Sequence, residues 1–79
     1  MPTLFILFGM RFFFFSREHD PIHVHVEKGD AMAKFSVDPE IKLIVNYGLK
    51  PAELKLAESV VEENRDVIIE HWFDFFGNR

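Results

Sequence analysis

Three histidines and a glutamate fall close together along the chain, His19, His23, His25 and Glu27. These residue types can build a metal site or an acid–base pair at neutral pH. In an extended chain His23 and His25 share one side about 7 Å apart at Cα, near enough for both imidazoles to reach one ion. His19 in the preceding loop, Asp20 or Glu27 would complete a set of nitrogen and oxygen ligands suited to a divalent transition metal such as zinc. The same residues also permit metal-free chemistry, in which a neutral imidazole takes a proton and a charged one gives it. His23 and His25, with Arg17 or Lys34 holding a phosphate, would then cleave RNA. A third alternative is structural, with His19 and Asp20 capping a turn and His23 and His25 solvated. The fourth histidine, His71, is explained by a favourable position near a helix C-terminus. No serine or cysteine nucleophile with an oriented base and no glycine-rich phosphate loop is present, which argues against acyl transfer and nucleotide hydrolysis.

The elements that position these side chains follow from periodicity. Ile22 to Glu27 alternates, with Ile22, Val24 and Val26 on one face and His23, His25 and Glu27 on the other, the pattern of a half-buried strand. Thr3 to Phe8 and Met10 to Phe15 read as two earlier strands split by Gly9. Ser16 to Pro21 is rich in turn formers and reads as an exposed loop. Lys28, Gly29 and Asp30 form a hairpin turn into a strand whose inward residues are Ala31, Ala33, Phe35 and Val37. After the turn at Asp38, Pro39 and Glu40, a last strand turns Ile41, Leu43 and Val45 inward. From Pro51 the period becomes helical, with Leu54, Ala57, Val61, Ile68, Trp72 and Phe75 on the apolar side as far as Gly77. One long amphipathic helix is the preferred reading, and Asn64, a good N-cap on that apolar side, is where it would break. The expected fold is α+β: an antiparallel β-meander of about four or five strands, packed on one face by this long C-terminal helix.

At 79 residues the chain supports one hydrophobic core, because a domain of this size buries only about 60% of its unfolded surface. A single domain over residues 1–79 is expected. The chain has no cysteine, so packing carries the stability and a reducing, cytoplasmic setting is expected. The apolar opening is interrupted by Arg11, well short of the roughly 18 to 20 residues of a membrane span, and it lacks the basic start and small-residue cleavage site of a signal peptide. No membrane association is expected.

Two surfaces remain. The outward set of the sheet is Arg11, Phe13, Phe15, His23, His25, Glu27, Met32, Lys34, Ser36, Lys42 and Ile44. Of these, Arg11, Phe13, Phe15, Lys34 and Lys42 interleave rings and positive charge as on some single-stranded RNA-binding sheets, while the paired phenylalanines equally suit a homodimer contact. The net charge of −4 lies wholly in Pro51 to Arg79, since the six basic and six acidic residues before it cancel. A strongly basic nucleic-acid-binding chain is therefore excluded. Glu58, Glu62, Asp66, Glu70 and Asp74 recur every fourth residue, forming either a solvated face or a docking strip for a basic partner.

The opening Met1-Pro2-Thr3, the Phe8-Gly9 step, the stretch His19-Asp20-Pro21-Ile22-His23-Val24-His25 and a late helix carrying Trp72 together resemble a small bacterial family, domain of unknown function 4160. The resemblance spans nearly the whole chain. Its most specific part is Pro21-x-His23-x-His25 with the upstream His19; members typically carry a second proline and an aromatic where this chain has Ile22 and Val24. The family has no assigned function. Its genes often lie beside a second small gene, so the resemblance implies a protein partner, a toxin–antitoxin-like or regulatory pairing, and weight on His23 and His25. The first expectation is accordingly a protein-interaction module. The alternatives are a histidine-based ribonuclease or metal-dependent hydrolase, with His23 and His25 as its catalytic pair, His19 or Glu27 assisting and Arg17 as phosphate clamp, and an RNA-binding sheet.

Overall fold

The computed structural model describes residues 3–15 and 21–77. Five strands, β1 (Thr3–Leu7), β2 (Met10–Phe13), β3 (His23–Lys28), β4 (Ala31–Ser36) and β5 (Lys42–Tyr47), precede two helices, α1 (Pro51–Glu63) and α2 (Arg65–Phe76). Each strand pairs antiparallel with its sequence neighbour, giving one sheet in the order β1-β2-β3-β4-β5. The meander and the α+β class are those expected from the sequence.

Turn chemistry sets the register. Lys28 pairs with Ala31 across Gly29 and Asp30, and Gly29 adopts φ 59°, a left-handed backbone that glycine takes without steric cost. At the β1–β2 turn Phe8 and Gly9 both have positive φ, 56° and 74°. This is the type I′ pattern whose twist suits a two-residue hairpin.

Alternation sorts the sheet residues onto two faces. Met10, Phe12, Val24, Val26, Ala33 and Phe35 point to the helices, where Leu49, Ala57, Val60, Val61, Ile68 and Trp72 complete a single core. Lys50 precedes α1 with extended backbone, and Pro51 opens the helix, where its missing N–H costs nothing. Glu53 Oε1 accepts the Lys50 N–H at 2.8 Å, and Glu53 Oε2 accepts from Lys28 Nζ at 2.8 Å. The start of α1 is thereby tied to the β3–β4 turn. The Lys28 hydrogen bond first, and the Lys50 N–H next, hold the Glu53 carboxyl below its ordinary value. A second tie starts α2: Arg65 Nε donates to the Val37 carbonyl at 3.0 Å and Arg65 Nη2 to Asp38 Oδ1 at 2.8 Å.

Two local departures from the expected pattern have physical causes. The preferred single helix is broken, at the residue named for a break. Asn64 Nδ2 donates to the Val60 carbonyl at 2.8 Å, the same carbonyl that accepts the Asn64 N–H at 3.0 Å. A side chain competing for its own helical acceptor bends a helix, and the Asn64 backbone sits at φ −111°, ψ 19°. In β5 the ladder steps from Val45 opposite Lys34 to Leu43 opposite Phe35, so Ile44 is an added, bulged residue. Leu43 keeps the helix side, whereas Val45, expected inward, lies on the face of Lys34.

Trp72 is the largest fully buried side chain. Trp72→Ala is expected to cost about 3–5 kcal/mol, a large share of the stability of a domain this small. Phe75→Ala, on the outer side of the same helix, should cost about 1 kcal/mol or less. Urea denaturation of the two variants checks the contrast.

Candidate functional site

His23 and His25 lie together on the face of the sheet away from the main core, as their spacing predicts, with ring centroids 5.3 Å apart. Their environment is not the solvated one that the structural alternative supposed: each is only 6% exposed. His25 sits against Phe13 at 5.5 Å, nearly parallel, and against Phe15 at 4.1 Å. The His23 Nδ1–H donates to the Pro21 carbonyl at 2.8 Å. In the neutral ring this bond leaves the lone pair on Nε2. His23 also meets the edge of Trp72 at 5.3 Å. Trp72 in turn touches Phe14 at 5.2 Å and Phe76 at 4.6 Å. A continuous run of rings therefore leads from α2, past the start of β3, onto the histidine face.

Arg11 and Glu27 close the other end of that run. They are cross-strand partners, and Arg11 Nε donates to Glu27 Oε1 at 2.9 Å. Arg11 Nη1 donates to Thr3 Oγ1 at 3.0 Å, and the guanidinium lies 4.1 Å from the centre of the Phe13 ring. Glu27, a candidate metal ligand, is thus engaged by Arg11. Among the described residues no three histidine or acidic side chains converge to hold a metal. The candidates His19 and Arg17, with Asp20, lie outside the described residues.

The aromatic platform expected on this face is partly closed. Phe13 shares the face but is completely buried, and Arg11 is neutralised by Glu27. Phe15 stays at the margin of exposure, Lys34 is half-buried, and Lys42 is exposed with Glu40 at 3.6 Å. Tyr47, 68% exposed and opposite Met32, is the most open ring on this face. It was missed because alternation continued from Ile41, Leu43 and Val45 turns Tyr47 inward, whereas the bulge at Ile44 brings it to this face.

The other candidate surface is intact. Glu58, Glu62, Asp66, Glu70 and Asp74 are all exposed, and none takes part in an ion pair or side-chain hydrogen bond among the described residues. Beside the strip, one helical step round α2, run Val67, His71 and Phe75, also exposed. Phe75 was expected on the apolar side. The inward row continues instead from Trp72 to Phe76, leaving Phe75 at 48% exposure. No described helix is long and apolar enough to cross a membrane.

A family model described as a domain of unknown function, DUF4160, matches residues 9–73. The chain belongs to the DUF4160 family. Neither a curated protein nor a solved structure matches it. The region shared with DUF4160 runs from the β1–β2 turn into α2, and so holds Arg11, Phe13, His23, His25, Glu27 and Trp72.

In this DUF4160 chain Arg11 serves three partners at once, Glu27, Thr3 and the Phe13 ring. Arg11→Ala is expected to lower stability by about 1–2 kcal/mol in chemical denaturation. Arg11→Lys should recover less than half of it, because an ammonium cannot reach a carboxylate and a hydroxyl while lying flat on a ring.

Proposed function

We propose that this protein is an interaction module, and that the outward face of α2 docks a segment of a partner protein that carries basic residues beside apolar ones. The observation that carries the proposal is the pair of adjacent stripes on one helix, acidic at Asp66, Glu70 and Asp74 and apolar at Val67 and Phe75 around His71. Carboxylates four residues apart repel, disfavouring the helix by a few tenths of a kcal/mol per pair. Neither helix has a basic residue in its last turn to offset this. A basic partner relieves that repulsion, and the exposed Val67 and Phe75 add the apolar burial that a charge contact alone lacks. Glu58 and Glu62 extend the negative field along α1.

The histidine-based ribonuclease, the metal-dependent hydrolase and the RNA-binding sheet draw less support, since His23 and His25 are buried beside the rings of Phe13, Phe15 and Trp72. A small basic protein made alongside this one, as in a toxin–antitoxin-like pair in the cytoplasm, is the kind of partner that suits the surface. Affinity capture from the native host, using a tag free of histidine, should recover one stoichiometric partner. Glu70→Lys with Asp74→Lys should weaken that complex about ten-fold or more, and raised salt should weaken the wild-type complex in the same direction. A complex indifferent to both contradicts the proposal.

A further inference from the structure

β5 is an edge of the sheet, paired with β4 on one side and with no described strand on the other. An edge strand leaves alternate N–H and C=O groups without ladder partners, and proteins blunt such edges with charge, proline or a covering element. Here the one charged residue, Lys42, stands at the first position, while Leu43, Ile44 and Tyr47 are exposed. The bulge gives the strand an unusual order of faces. Lys42 opposite Ser36, Val45 opposite Lys34 and Tyr47 opposite Met32 lie on the histidine face; Leu43 opposite Phe35 and Asn46 opposite Ala33 lie on the helix face. In a bulge two residues of one strand stand against one of the other, which sets Ile44 on the side of Val45. From Lys42 to Tyr47 the faces run histidine, helix, histidine, histidine, helix, histidine. The order is the same in both directions.

We infer that β5 pairs antiparallel with β5 of a second copy of this chain, about a two-fold axis between Ile44 and Val45, joining two sheets into one. In that register Lys42 faces Tyr47, Leu43 faces Asn46 and Ile44 faces Val45 of the second copy, and each pair shares a face. A shift of one residue sets Lys42 against Asn46, or Leu43 against Tyr47, on opposite faces, so register is specified by the pattern itself. Charge agrees with it: each Lys42 lies about 17 Å along the strand from its counterpart, beyond a screening length of about 8 Å, and is offered a tyrosine ring instead of a like charge. The contact uses residues outside α2 and is independent of partner docking there.

Sedimentation of the full chain from about 1 µM to about 1 mM tests the inference, with two substitutions at the exposed Tyr47. Tyr47→Glu sets a carboxylate against Lys42 of the second copy, and Tyr47→Lys sets an ammonium there. The wild type and Tyr47→Glu are expected to dimerise, with Tyr47→Lys dissociating about ten-fold more readily than Tyr47→Glu at low salt and the gap closing in about 1 M salt. Circular dichroism of both variants should match the wild type. A wild type that stays monomeric throughout overturns the inference, as does a dimer on which the two substitutions act alike.

Discussion

Trp72 packs against Phe14, Phe76 and His23 at once, and much else in this small domain depends on that contact. A five-stranded sheet with one apolar face needs a cover, and among the described residues the two helices supply it. The bend at Asn64 divides that cover into two pieces, each tied to its own turn: α1 through Glu53 to Lys28, and α2 through Arg65 to Val37 and Asp38. With α2 so placed, its indole reaches past the core to the first residue of β3. The indole thereby joins the main core to the histidine face.

That join gives the histidines a part in the packing. Imidazoles at alternate positions on an open strand suggest ligands or proton carriers, and here the same rings also pack against Phe13, Phe15 and Trp72. Arg11 caps these rings by lying on Phe13 while it pairs with Glu27. Among the described residues, the set that looks chemical in one dimension is in three also a stack of rings with Arg11 laid over Phe13. The surfaces proposed for recognition, the outward side of α2 and the edge of β5, lie outside that stack.

Much of this was legible in the sequence. Alternation in Ile22 to Glu27 assigns both faces of β3 correctly, the helical period from Pro51 places Ile68 and Trp72 inward, and Asn64 is marked as the weak point of the helix. The errors arose where a local device overrides periodicity. The bulge at Ile44 moves Val45 to the other face, and no residue type in Ile41 to Tyr47 signals it. Phe75 and Phe76 are adjacent and identical in type, so composition does not say which is buried; the position one turn on from Trp72 decides for Phe76. The burial of the histidines was hidden for another reason, since His23 meets the distant Trp72 of α2 and His25 meets Phe13 and Phe15 of another segment.

Hydrogen exchange of the chain, alone and bound to the partner captured from its host, tests most directly whether α2 is the recognition surface. Added protection should concentrate in the amides of Arg65 to Phe76, with those of Met10 to Phe13 and His23 to Lys28 unchanged. Protection that appeared on the histidine strands while α2 exchanged as before would contradict the account, and would return His23 and His25 to the centre of this protein's function.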